Sequence, residues 1–596
     1  MPRFALAYHL DGRPAERAAI WADARLDNRD ELFAALGRTA SDADLILAAY
    51  ERWGDDCASH LLGDFAFALW DHRRGRLYCA RDHAGIRQLS YYCDGRVFAC
   101  ASGPEQLLDY PEVQAKPDNC TLANWLLDRF PDPDATLYQG IRRLPAAHFL
   151  VVTNRGIRLQ RYWDLSTLRS SRSRTDEDII EGFQDVFAAA VRSRLAGSGD
   201  VAATLSGGLD SSAIVCMARR LEPAALSRAY SLVFDDLPCD ERRYIDEVAR
   251  ATGIDVEFCF ADRGAGARPA GTCQLKQYPG VPCDASFSMN FDLLERARRQ
   301  GTRVLLWGIG GDELLSSGDA YLSDFIRRGR FLSAGRAVSD RVRHSGIADL
   351  QRSCAACIRP LVPPWLRSAR RRFARPQPPR WIREEFLRDA GALEPPAELP
   401  RRFGCEAQEQ IYRTFMTGRT AGYTLPASDA MAAAFDMEFR HPFFDRRVIE
   451  YVLGLPPARA EFFAGKLLLR EALRGILPEA VRTRLDKTGF DPLVDRGLRM
   501  EGGIISRTLI RGSELARTGA INQEALGEAF ELFSQQAGEL SLAAEKCRNE
   551  ITSFIRVEVW LRALHEQRNR HGQLGDQTAG NGEQEALLGS APCVIR

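Results

Sequence analysis

Two glycine-rich turns carry the residues best suited to chemistry. The first is Leu205-Ser206-Gly207-Gly208-Leu209-Asp210-Ser211-Ser212. An apolar run, VAATL, leads into it and a helix-like run, SSAIVCMARRL, leaves it, so the pattern predicts strand, tight turn and helix. Adjacent glycines let main chain curve tightly and approach a ligand. Exposed N–H groups, serine hydroxyls and the positive end of the helix then suit phosphate oxygens. Asp210 would repel a bare phosphate, but makes sense if it holds Mg²⁺ against those oxygens. The lysine of GxxxxGK[ST] and the third glycine of GxGxxG are absent. The alternative is a merely structural turn.

The second turn, Gly308-Ile309-Gly310-Gly311-Asp312-Glu313, follows the apolar run RVLLW. Asp312 can supply a second carboxylate to the same metal. Glu313 reads as a loop support. Two carboxylates, polyphosphate and water would complete an octahedral Mg²⁺.

Elements able to place these turns follow from the patterning. From Glu177, helical runs alternate with short strands (VAATL, AYSLVFD, VEFCF, RVLLWGI), which predicts a parallel sheet covered on both faces, with ligands at the carboxyl ends of its strands. Before that, FALAYHL, FAFALWD, GRLYCARD, YYCDGRVFACAS and HFLVVTNRGIRLQRYWDL show period-two alternation with turn signals, a mostly antiparallel region. The polar stretch LSTLRSSRSRTDED separates the two. We therefore divide the chain at 1–170, 171–565 and a polar tail, 566–596, expected to be disordered. The basic stretch RSARRRFARPQPPRW reads as a solvated loop, or else as a dock for an acidic partner.

With 596 residues, several packed domains are expected; 80 basic against 80 acidic residues give no general attraction to nucleic acid or to an anionic membrane. The opening residues lack an export signal and no apolar run is long enough to span a bilayer, so a soluble cytoplasmic protein is expected. The 15 cysteines are scattered and read as small buried hydrophobes.

The chain resembles the asparagine synthetase superfamily over roughly Arg3 to Leu493. Its SGGLDSS and GIGGDE turns look like the pyrophosphate-gripping and magnesium-holding turns of that family's PP-loop ATP-pyrophosphatase domain. The resemblance implies nucleotide contacts from Leu205, Ser206, Gly207, Gly208, Asp210, Ser211, Ser212 and Gly310, with Mg²⁺ on Asp210 and Asp312. EFRHPFFD, from Glu438, resembles the ExRxPFLD segment, KLLLR, from Lys466, the KxxLR segment, and RLDKTGF, from Arg484, the RxKxxF segment. By that likeness Lys487 steadies charge at the adenylated carboxylate. Glu438 would orient or deprotonate the attacking amine, or else pair with Arg440. Lys466 and Arg470 read as support.

The front region, with LLGDFAFALWD, ARDHAGIR and Tyr91-Tyr92, resembles the glutaminase domain of the same enzymes, which uses an N-terminal cysteine nucleophile. Here Pro2 follows the initiator Met1 and the first cysteine is Cys57, so glutamine hydrolysis is not expected. Ile309 stands where asparagine synthetases carry a glutamate and β-lactam-forming relatives a tyrosine. The implied fold is an Ntn-type glutaminase-like antiparallel β domain followed by a PP-loop parallel-sheet α/β domain with added helices. The implied reaction is amide formation through an acyl-adenylate, using ATP and Mg²⁺. Among relatives the chain looks most like lasso peptide cyclases. These join an Asp or Glu side chain of a leaderless core peptide to its N-terminal amine, alongside a leader peptidase and sometimes a leader-recognition protein. Small-molecule amide or β-lactam synthesis, ammonia-dependent asparagine synthesis and a catalytically silent scaffold are the alternatives.

Overall fold

The computed structural model describes residues 4–9, 19–37, 41–165, 168, 175–197, 200–262, 289–345, 348–363, 377–393, 400–485, 488–536, 542–578 and 593–595.

The front domain is built on two facing sheets. In one, Ala19–Leu26, Gly63–Asp71, Arg76–Arg81, His148–Thr153 and Gly156–Arg161 pair antiparallel in that order. In the other, Ala5–His9 lies between Val97–Ala101, antiparallel, and Cys593–Ile595, parallel, with Ser90–Cys93 and Ile141–Arg143 completing the order beyond Val97–Ala101. Alternation decides what each face buries. Ala66, Ala68 and Trp70 point between the sheets to meet Leu6, Tyr8, Phe98 and Cys100. Their neighbours Phe65, Phe67 and Leu69 face the other way, under helix Asp42–Trp53, whose Leu45, Ile46 and Ala49 fill that layer. A Ser41–Asp44 capping box starts this helix.

The second domain centres on a five-stranded parallel sheet: Asp255–Phe260, Arg228–Val233, Val201–Thr204, Val304–Leu306 and Glu438–Arg440. Both faces are covered, as the short apolar strands require. Ala203, Ala229, Val304 and Leu306 pack against helices Asp176–Leu195 and Leu209–Leu221. Ala202, Tyr230 and Leu305 turn to the opposite layer, where helix Phe291–Arg299 and the long helix Leu542–Thr578 contribute Leu294, Phe554 and Trp560. That layer also takes in Ala7, Val97, Ala99 and Trp125 of the front domain, so one continuous core joins the two domains.

The tail departs from the reading of its sequence. Helix Leu542–Thr578 crosses the expected boundary at 565, and Cys593–Ile595 adds a strand to the front sheet. No proline interrupts the helix, and an unpaired sheet edge offers a partner to any nearby extended segment. The basic stretch falls mostly outside the described residues, but its end is structural. Trp381 is fully buried and donates its indole N–H to Glu550 at 3.3 Å.

Candidate active site

The strand Val201–Thr204 sits centrally in its sheet and ends at the first turn. Leu205 anchors that turn: its N–H donates to Tyr230 O at 2.9 Å, its carbonyl accepts from Ser231 Oγ at 2.6 Å, and its side chain is in the core. Leu205, expected among the nucleotide contacts, is therefore a support for them, because its polar groups are spent on the sheet. Ser206 is exposed at the tip, and its hydroxyl lies 3.0 Å from Ser211 Oγ and accepts from Gly208 N at 3.3 Å. Gly207 adopts φ +75°, where a Cβ would press on Tyr244 and Glu241 at about 3 Å. Only glycine fits there at low cost. The helix Leu209–Leu221 starts at Gly208, so its first N–H groups face the turn. Ser212 is fully buried beneath, and its hydroxyl has no hydrogen-bond partner among the described residues.

The second turn interleaves with the first. A Cβ on Gly308 would lie 3.1 Å from Ser211 N, and one on Gly311 would lie 2.6 Å from either carboxylate oxygen of Asp210. The Asp210 carboxylate thus rests on bare backbone of the GIGGDE turn. Gly310, at φ +99°, is seated against the Phe444 ring, where a Cβ would come within 2.6 Å. Its place is set by packing as well as by the turn. Ile309 packs against the core of the sheet.

These turns bring the two aspartates to one cation. Lys466 Nζ donates to Asp210 Oδ2 at 2.6 Å and lies 2.6 Å from Asp312 Oδ1. The Lys466 side chain is 13% exposed, whereas that of Asp312 is 47% exposed, so the cluster opens to solvent on the Asp312 side. Burial works against the Lys466 ammonium, but Asp210 and Asp312 outweigh it and hold its pKa above the ordinary lysine value. Lys466 has φ +61°, a left-handed conformation unusual for a side chain of this kind. The KxxLR spacing in the sequence places Lys466 as support; its reach across to both carboxylates depends on turns distant in the chain. Arg470 follows on the same helix and donates to Gly465 O at 2.9 Å.

Arg484, from the start of the RLDKTGF segment, reaches the first turn. Arg484 pairs with Glu241 at 2.5 Å, donates to Gly207 O at 3.4 Å and to Thr488 Oγ1 at 2.6 Å, and lies 4.1 Å above the Tyr244 ring. Phe490 packs 6.0 Å from Phe234. Lys487 itself lies outside the described residues.

Glu438 sits elsewhere. It pairs with Val304, at the amino end of that strand, while the Asp312 turn begins beyond the carboxyl end at Leu306. Its carboxylate accepts from Arg87 of the front domain at 2.7 Å and from Arg440 at 2.9 Å, with Arg25 at 3.7 Å. Burial opposes its charge, but Arg87, Arg440 and Arg25 hold its pKa down to about 2. So weak a base is unsuited to taking a proton from an amine, and the pairing with Arg440 that the sequence offered is present, joined by Arg87 and Arg25.

Glu438 is one member of a buried charge network between the domains. Asp23, Arg25, Asp27, Asp64 and Arg87 meet Arg194, Arg440 and Asp445 there. In the front domain Cys57, Cys79 and Cys100 are buried, and burial pushes the Cys57 thiol up to about 12. Thiols held protonated in this way are poor nucleophiles.

Comparison with known proteins agrees with this architecture. Residues 182–562 match the asparagine synthase family and residues 21–163 match a glutamine amidotransferase domain. The chain belongs to the asparagine synthase family. It is 26% identical to an asparagine synthetase (glutamine-hydrolyzing) of Bacillus subtilis over 473 residues, covering 74% of this chain and 70% of that protein. It is also 26% identical over 502 residues to amidase chry2 of Gibberella zeae, covering 76% and 73%. Amidase chyE of Penicillium rubens is 24% identical over 503 residues, with the same coverage. Among the described residues no helix is long and apolar enough to cross a membrane.

Proposed function

We propose that the protein is an ATP-dependent, AMP-forming amide ligase in which the acceptor amine arrives directly, without glutamine hydrolysis in the front domain. A substrate carboxylate oxygen attacks the α-phosphorus of ATP and pyrophosphate leaves. An amine nitrogen then attacks the acyl carbon, forming the amide bond, and AMP leaves with the bonding pair. The observation that carries this reading is the convergence of Asp210 and Asp312 on Lys466 beside the exposed Ser206 turn.

Each residue has a stated task. Ser206, Gly207, Gly208 and the start of the following helix cradle the outer phosphates. Two hard carboxylates on one small cation fit Mg²⁺, which Asp210 and Asp312 would hold and whose charge would offset the polyphosphate. Lys466 supplies a fixed positive charge at the same place, and Lys487, carried between Arg484 and Thr488, steadies charge at the activated carboxylate. Arg484 braces the first turn through the Gly207 carbonyl.

Two acceptor readings separate by experiment. Relatives named as glutamine-hydrolyzing asparagine synthetases favour a small carboxylate as the group activated, which here would meet ammonia or a compact amine. The buried Cys57, Cys79 and Cys100 and the apolar Ile309 favour a substrate that brings its own amine, as in a lasso core peptide closed into a macrolactam from its N-terminus to an Asp or Glu side chain. A leader peptidase and a leader-recognition protein would then be its partners. The test is AMP release and product mass with ATP and Mg²⁺, offering aspartate with ammonium, aspartate with glutamine, or a leaderless peptide with a free N-terminus and an acidic side chain. AMP with a peptide lighter by one water supports macrolactam formation, whereas AMP only with aspartate and ammonium supports the small-molecule reading. Release driven by glutamine alone contradicts the direct-amine proposal. Absence of AMP with every carboxylate, from a protein of normal melting temperature, contradicts the ligase.

A further inference from the structure

A second cavity, separate from the carboxylate–lysine cluster, opens where the front domain meets helix Glu406–Met416. Its volume is about 260 Å³, room for a group the size of an amino-acid side chain. Trp163, Tyr412 and Met416 give it aromatic and apolar walls, and Arg81, Asp134 and His148 are among its polar lining.

The charges around it are spent, with one exception. Arg81 donates to the carbonyls of Gly85, Arg87 and Leu144 and to Gln88 Oε1, all within 2.8 Å. Arg143, behind the wall, donates to the carbonyls of Pro133 and Ala135. Asp164 is held by Arg161 at 2.6 Å and Arg402 at 2.7 Å. His148 Nδ1 is 2.8 Å from Ala146 O, and burial holds its pKa below the ordinary value, so it is neutral near pH 7. For the Asp134 carboxylate no hydrogen bond or ion pair is present among the described residues. Burial pushes its pKa up to about 6, outweighing Arg81, Arg142 and Arg143, which favour its charge, and leaves it ionised near pH 7.5.

We propose that this cavity binds a small organic ammonium ion, its charged nitrogen on Asp134 and its apolar body between Trp163, Tyr412 and Met416. Aromatic faces attract organic cations, and a desolvated carboxylate adds a charge-assisted hydrogen bond. An anion finds no unspent donor pair on these walls.

Calorimetric titration of the full chain with 2-phenylethylammonium, against the neutral alcohol of the same shape, tests this near pH 7.5. The ammonium is expected to bind at least about tenfold more tightly than the alcohol, the measure of one charged hydrogen bond. Asp134→Asn removes that preference, and Met416→Trp, which fills the cavity without touching the carboxylate, abolishes binding of both. Melting temperatures of both variants identify any that fail to fold, in which case the other decides. Equal affinity for ammonium and alcohol, no binding of the ammonium to the intact protein, or binding unchanged in a folded variant overturns the proposal.

Discussion

Lys466 holds a strained position between two carboxylates. A left-handed φ of +61° costs a lysine on the order of 1 kcal/mol, and such strain persists only where surroundings fix it. Here the surroundings are two carboxylates on separate turns. Lys466→Met is therefore expected to slow AMP formation about 100-fold, measured with saturating ATP, while the circular dichroism spectrum stays the same. A loss below about twofold would return Lys466 to the supporting role its sequence suggested. Glu438 gives a prediction of a different kind. Its pKa is depressed from 4.5 to about 2, so its ion pairs stabilise the fold at pH values above the ordinary one. That stabilisation, about 3 kcal/mol, is lost as pH falls from about 4.5 through about 2. In Glu438→Gln the acid limb of the stability curve should flatten over that window, and neutral-pH stability should drop by about 3 kcal/mol, because Arg87, Arg440 and Arg25 lose their partner. Urea unfolding at stepped pH reads both effects.

At the scale of elements, what matters is how two turns share one small space. Gly311 lets Asp210 lie on the second turn, and Gly310 lets Phe444 and Phe415, stacked 4.4 Å apart, wedge beneath it. Gly311→Ala should push the Asp210 carboxylate off its seat and cut AMP formation at least about tenfold, with the KM for ATP rising. An unchanged rate would mean the two turns move independently. Much of this was legible in the sequence, since VAATL, RVLLW and the glycines between apolar run and helix announced both turns. Other elements were not. The strand Ala19–Leu26 carries Asp23 and Arg25 at buried positions, where a strand pattern calls for apolar residues; only the ion network across the domain interface explains them. Glu438–Arg440 is a strand of three residues, too short for any period. The sheet bonds of Leu205 and the arginine pairing of Glu438 emerged only when neighbours from distant parts of the chain were in place.

On the scale of the whole molecule, the domains are joined twice, by the core containing Ala99, Trp125, Phe439 and Trp560 and by the charges around Arg194. Arg194 is fully buried and meets Asp27, Asp64 and Asp445. Two domains sharing a core should melt together, so scanning calorimetry is expected to give one transition whose calorimetric and van't Hoff enthalpies agree. Two separated transitions would show a looser union. The front domain then acts as a fixed wall of the second domain, sharing its core. The central claim, that the Asp210–Asp312–Lys466 cluster is the metal–nucleotide site, is tested most directly by calorimetric titration with a non-hydrolysable ATP analogue, with and without Mg²⁺. The account predicts binding that needs Mg²⁺ and is lost in both Asp210→Asn and Asp312→Asn, each folded as the parent. Mg²⁺-dependent binding of unchanged affinity in those two variants would contradict it.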